Sequence, residues 1–146
     1  VVGKIVSIMI VSECNLEVRY YETDLMGIVH HSNYIRYFEC GRHKMLQDIG
    51  MPIEEVERRG YMLPVVSTYC VYKTPAKMGD ILRIVSTMKE MPKAKIKVYA
   101  QIFNQDNSLI AEGEVVIGFI HADTRKPTRR PDFVEEVMSK YFIETK

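Results

Sequence analysis

Hydrophobic and polar positions along this chain change their period partway through, and the change divides it into a helical first half and a strand-rich second half. Over residues 15–21, Leu16, Val18 and Tyr20 alternate with polar neighbours, which predicts a strand. Residues 22–32 follow as a loop. Residues 34–49 then carry a helical repeat, with Ile35, Phe38, Met45 and Ile49 on one apolar stripe. Ser32 or Asn33 is placed to act as N-cap, while Gly50 and Pro52 are stop signals. That proline opens a short second helix over residues 53–59. After Gly60 the period becomes two. Residues 62–74, 80–91, 94–104 and 108–121 read as long strands rich in Val, Ile, Tyr and Thr, joined by turns at 75–79, 92–93 and 104–107. Alternation is imperfect within 110–116. Residues 124–131 are basic, proline-punctuated and outside regular structure. Residues 132–142 predict a terminal helix with Phe133, Val137 and Tyr141 on one side.

A long helix followed by an antiparallel meander has to bury its stripe against the sheet, so the expected class is α+β. Residues 1–146 show no repeat and no linker, and read as a single domain. Glycine costs about 1 kcal/mol inside a helix. Gly41 therefore marks either a close backbone approach or a tolerated surface position. Residues 1–12 are apolar but too short to span a bilayer and lack the basic start of a secretory signal. They are expected to form an extra strand or a tail.

Composition narrows the function classes. A net charge of +1 with 27% charged residues gives no footprint for a general nucleic-acid or membrane-surface binder. Any phosphate recognition must come from a local cluster. The 3 cysteines, Cys14, Cys40 and Cys70, form neither a metal pattern nor a disulfide framework, which fits a reducing cytoplasm.

The chemistry concentrates in residues 19–34. A carboxylate, Asp24, sits on a loop with Gly27. The histidines His30 and His31 and the start of a helix follow. An oriented carboxylate can serve as base or nucleophile. Aspartate ordinarily titrates near about 3.9 and so is ionised at neutral pH. By residue type alone, Asp24 is more simply a turn-capping aspartate. The first turn of a helix offers unpaired N–H groups that can hold a developing oxyanion. Together these point to acyl transfer. Gly27 permits the tight turn. The adjacent histidines lack a third ligand and make a poor metal site.

The wording of the stretch adds to this. Tyr20, Glu22, Thr23, Asp24, Met26, Gly27, Val29, His30, His31, Asn33 and Tyr34, then Tyr37, Phe38, Glu39, Gly41 and Arg42, closely resemble the 4-hydroxybenzoyl-CoA thioesterase family of hotdog-fold acyl-CoA thioesterases. Within that family the stretch looks most like the bacterial group associated with the Tol-Pal system. The strong match covers residues 18–50, and strand spacing extends it to about 131. The resemblance implies a hotdog fold, an antiparallel sheet of about five strands wrapped around the long helix. It implies hydrolysis of acyl-CoA to free acid and coenzyme A, with Asp24 as base or nucleophile and the His31 backbone N–H polarising the carbonyl. Gly27 and Asn33 fall beside the substrate. Glu39 is the rival carboxylate, because a second branch of these enzymes carries its carboxylate on the central helix; the alternative is pairing with Arg36, Arg42 or His43. Arg125, Lys126, Arg129 and Arg130 are candidates for the phosphates of coenzyme A, with Lys73, Lys77, Lys93 and Lys95 as weaker ones. No cofactor or metal is called for. A homodimer or homotetramer with a site between subunits is implied. An enoyl-CoA hydratase is disfavoured, because no Asn follows Asp24 by two positions. A non-catalytic acyl-CoA or acyl-carrier binding protein remains the alternative from another class.

Overall fold

The computed structural model describes residues 9–142. Most of the expected N-terminal strand or tail, residues 1–8, lies outside the described residues. Its last part joins strand β1, Ile10–Glu17, which pairs antiparallel with β4, Ile81–Met88, from Ile10↔Met88 to Glu17↔Ile81. The first strand thus starts and ends earlier than its alternation suggests. Its polar interior, Ser-Glu-Cys-Asn, hides the pattern, and the chain after it turns into a 3-10 segment, Tyr20–Glu22, where Tyr20 is 79% exposed.

Helix α1, Ser32–Asp48, begins two residues before the expected 34–49 span. Its buried face is Tyr34, Tyr37, Phe38, Gly41, Arg42, Met45 and Leu46, whereas Ile35 is 42% exposed. The stripe is rotated from the one read in sequence because two tyrosines, not Ile35, fill the core-facing positions. Gly50 ends the helix with a φ of 81°, and Met51 N–H donates to the Leu46 carbonyl at 2.8 Å. The short helix α2, Ile53–Arg58, follows.

Pro64 divides the expected strand 62–74 into β2, Tyr61–Met62, and β3, Val65–Tyr72. Then come β4, β5 at Lys95–Phe103, β6 at Leu109–His121 and the two-residue β7 at Pro127–Thr128. The long strands are ordered β1-β4-β5-β6-β3, every pairing antiparallel, with β2 and β7 on the last residues of β6. This is the helix-wrapping hotdog sheet. The terminal helix α3, Asp132–Met138, is shorter than expected and buries Val134 and Met138, while Phe133, Val137 and Tyr141 pack half-buried at its side.

The core lies between α1 and the inner sheet face. Leu82, Ile84 and Met88 from β4 and Ile96, Val98, Ala100 and Ile102 from β5 meet Tyr37, Phe38, Met45 and Leu46. Gly41 marks a close approach: a Cβ there would come within 2.6 Å of both Ile84 Cγ2 and Ser86 Oγ. Gly41→Ala gains about 1 kcal/mol of helix propensity but overpacks this contact, which costs about 1–3 kcal/mol. Urea denaturation is expected to show a net loss of stability. An unchanged or higher midpoint would contradict the close packing of α1 on β4.

Candidate active site

After β1 the chain is held by Val18, which donates its N–H to the Asp80 carbonyl at 2.9 Å. The 3-10 turn leads into a tight loop. Thr23 bridges Val29, Asp24 N–H donates to the Ile28 carbonyl at 2.9 Å, and Gly27 N–H returns to the Asp24 carbonyl at 3.0 Å. Gly27 closes the turn with a φ of 78°, the left-handed region that glycine adopts freely. Asp24 Oδ1 accepts the Met26 N–H at 2.8 Å, an Asx turn that fixes the carboxylate. Asp24 Oδ2 has no hydrogen-bond partner among the described residues. Half-buried Asp24 and exposed His31 thus stand on the two limbs of one loop.

The second limb runs straight into α1. His31 is the N-cap, in helical conformation and without a side-chain cap. The sequence placed Ser32 or Asn33 there, but both side chains are engaged elsewhere. Ser32 Oγ bonds His30 Nδ1 at 2.8 Å, and Ser32 N–H donates to the same nitrogen at 3.2 Å. Asn33 N–H goes to the His30 carbonyl. The His31 N–H is left without an acceptor among the described residues. A helix-start N–H carried on the same loop as a fixed carboxylate can serve as a preorganised donor for a carbonyl oxygen that gains negative charge.

Aromatic rings floor this position. The His31 ring stands edge-on to Tyr72 at 6.4 Å, and Tyr72 lies 5.4 Å from Tyr34. Tyr34 Oη accepts the Ala76 N–H at 3.2 Å, and burial raises its pKa above the ordinary tyrosine value. Tyr20, Tyr21, Met26 and Leu25 (108% exposed), on the same stretch of chain as Asp24, are exposed large apolar side chains.

A family model described as the thioesterase-like superfamily matches residues 18–138. The chain belongs to the thioesterase-like superfamily. Among its relatives, an acyl-CoA thioesterase, YbgC, of Helicobacter pylori (strain J99) is 26% identical over 84% of this chain and 96% of its own. The chloroplastic acyl-acyl carrier protein thioesterase of Arabidopsis thaliana is 33% identical over 71% of this chain and 56% of its own. A solved DHNA-CoA thioesterase from Staphylococcus aureus superposes with a TM-score of 0.83 at 28% identity, covering 89% of each chain.

Within this thioesterase-like chain the other expected site residues separate. Asn33 is not presented to a substrate as expected. It is 8% exposed, and its Nδ2 donates to the Glu22 carbonyl at 2.8 Å. Glu39 has a side chain 64% exposed and pairs with Arg42 at 3.6 Å, two helical turns beyond His31. It lines a groove with Cys14, Cys40 and His43, away from the Asp24 loop. Arg125, Lys126 and Arg129 are exposed on and beside β7, but Arg130 is committed to structure. Its Nη1 donates to the Pro92 carbonyl at 2.7 Å and its Nη2 faces Glu135 at 3.5 Å. That segment sits at the end of β6 opposite the Asp24 loop. From Ala111, which pairs Tyr72, to Phe119, which pairs Thr128, runs about 26 Å of strand. One chain does not bring Arg125, Lys126 or Arg129 to Asp24, whereas Lys77, a weaker candidate, bridges Ile28 in the Asp24 loop.

The sequence also left out Glu22. It is buried, and its Oε1 accepts the Arg19 N–H at 2.8 Å. The Tyr37 hydroxyl beside it makes no hydrogen bond of good geometry; burial first, then the Glu22 charge, push it far above the ordinary tyrosine range. The signal was an acid two residues before Asp24, in a run where only one acid was read as functional. Among the described residues no group of three or more His, Cys, Asp or Glu side chains could hold a metal, and no helix is long and apolar enough to cross a membrane.

A Cβ on Gly27 would meet nothing within 4 Å, so a substitution there is strained only through its backbone. Gly27→Ala is expected to lose about 1–2 kcal/mol in chemical denaturation. Gly27→Asn, which tolerates the left-handed region, should lose less. Equal stability of all three proteins would contradict the turn.

Proposed function

We propose that this protein hydrolyses acyl-CoA thioesters, with Asp24 as base or nucleophile and the His31 N–H as oxyanion donor. The observation that carries the assignment is the pairing of an unclaimed helix-start N–H with an anchored carboxylate on the facing limb of the same loop. The thioester carbonyl oxygen would accept the His31 N–H, and Asp24 would either take a proton from an attacking water or attack the carbonyl carbon itself. Either route forms a C–O bond, passes through a tetrahedral oxyanion and breaks the C–S bond. The coenzyme A thiolate leaves and is protonated. The direct route adds an anhydride that water then opens. The relatives named as thioesterases support this chemistry.

The cations belong to the same proposal through assembly. Among the described residues strand β3 is paired only to β6, and it presents Val65, Val66, Tyr69 and Tyr72 as exposed large side chains on an eight-residue edge. A long, apolar, uncharged edge is a template for another strand. Antiparallel pairing of β3 with its copy about a two-fold axis sets Tyr72 beside the partner subunit's Val65. The partner subunit's β6 end and its Arg125, Lys126 and Arg129 then come to the same end of the joined sheet as Asp24. The offset is about three strand spacings, or about 15 Å. In this arrangement the phosphates of coenzyme A would rest on one subunit while its thioester is cleaved by the other. A homodimer, or a tetramer built from two of them, follows as the working unit. The compound motif supports the finer placement in the 4-hydroxybenzoyl-CoA, Tol-Pal-associated branch. The three thiols, free as far as the fold places them, fit a reducing cytoplasm.

Asp24→Asn should fold normally and lose at least about 100-fold in kcat on acyl-CoA. Glu39→Gln, measured in parallel, should stay within a few-fold of the parent. Near-normal turnover by Asp24→Asn would overturn the role given to Asp24, and a large loss in Glu39→Gln would move the chemistry to the helix carboxylate.

A further inference from the structure

One carbonyl oxygen is bonded from both sides of His31. The Glu22 carbonyl accepts the His30 backbone N–H at 2.9 Å and the Asn33 side-chain amide at 2.8 Å. The peptide that offers the unclaimed N–H lies between these two anchors. The N-cap residue His31 makes no side-chain cap, and the helix-start N–H of Ser32 is taken instead by His30 Nδ1 at 3.2 Å. Glu22 is itself held firmly. Its own N–H closes on the Arg19 carbonyl at 3.0 Å, its carboxylate takes the Arg19 N–H, and it is buried. Thr23, the link from Glu22 to Asp24, is bonded to the Tyr20 carbonyl through both its N–H and its hydroxyl. The limb bearing Asp24 is therefore stiff without help from Asn33. The limb bearing the His31 N–H is anchored before the histidine by His30, and after it by the Asn33 amide.

We infer that Asn33 is a positioning residue, whose amide aims the His31 N–H relative to Asp24 by tying the first turn of α1 to the Glu22 carbonyl. The inference rests on the proposed thioesterase chemistry for its catalytic consequence, though not for the geometry. Without the amide, the helix start keeps the His30 bond and its helical hydrogen bonds but can rotate about the former. Asp24 stays in place while the donor moves. A displaced donor weakens the transition state and leaves the grip on coenzyme A unchanged. The expected signature is a loss in kcat with KM preserved. A buried asparagine serving only stability would lower apparent kcat just in proportion to the folded fraction, so rates divided by the folded fraction would match the parent.

The test compares Asn33→Ala and Asn33→Ser with the parent protein on one acyl-CoA. Serine keeps a polar group at the site, yet its hydroxyl is too short to replace the 2.8 Å bond, and it decides the matter where alanine fails to fold. For folded variants, judged by circular dichroism and elution volume, kcat should fall by about 10–100-fold with KM within about threefold. A folded variant with kcat within about threefold of the parent would overturn the inference, as would a loss shared equally by kcat and KM. Amide NMR separates this from failure of the functional assignment. If the parent hydrolyses no thioester, a His31 amide resonance that moves in the variants still upholds the geometric tie. An unmoved resonance overturns it.

Discussion

How closely α1 sits on β4 sets the geometry of everything at the site. A helix that must bury Tyr37, Phe38, Met45 and Leu46 against a curved sheet can be held at close range only where a small residue faces the strand. Gly41 supplies that contact against Ile84 and Ser86. Its absence of a side chain lets the helix axis approach, and the approach decides where the first turn emerges. The N-terminal end then meets the loop from β1 at Glu22, whose carbonyl accepts the Asn33 amide. A bulkier residue at position 41 would push the whole axis outward and separate the carboxylate from the helix-start N–H.

Local bonds refine what the packing sets. Val18 ties the end of β1 to Asp80, and Val29 donates to the Ala76 carbonyl at 2.8 Å, so the Asp24 loop is anchored at both ends to the β3–β4 connection. The Asx turn uses one oxygen of Asp24 and leaves the other without a partner among the described residues. The chain spends its polar groups on holding backbone and keeps one helix amide unspent. That division is what an electrostatically preorganised acyl-transfer site requires, since donors already in place need no reorganisation when charge develops.

The architecture was legible because its signals were local. The helix stop at Gly50, the period of two after Gly60 and the turns at 75–79 and 104–107 all appear where the residues place them. What was missed depended on distant partners. Ile35 looked like part of the core stripe and Tyr34 was not placed on it, yet which side of α1 faces inward is fixed by β4 and β5. Tyr20 looked like strand because it alternates, but its strand had already ended at Glu17. Asn33 carried no sign that its amide reaches back eleven positions to Glu22. Arg130 looked like its basic neighbours, and only the folded β4–β5 turn shows that its guanidinium bonds the Pro92 carbonyl. The separation of the basic segment from Asp24 within one chain could not be read from charge at all, because it is a property of strand order.

In the proposed reaction one carboxylate and one helix amide face the same carbonyl group. The most direct measurement is a crystal structure with a non-hydrolysable ketone analogue of acyl-CoA bound, in which a methylene group inserted between the carbonyl carbon and the sulfur replaces the cleavable acyl C–S bond by a C–C bond. The account expects the carbonyl oxygen within hydrogen-bond distance of the His31 N–H and Asp24 Oδ2 facing the carbonyl carbon. A carbonyl held by other donors, or lying against Glu39 on the exposed side of α1, would contradict it.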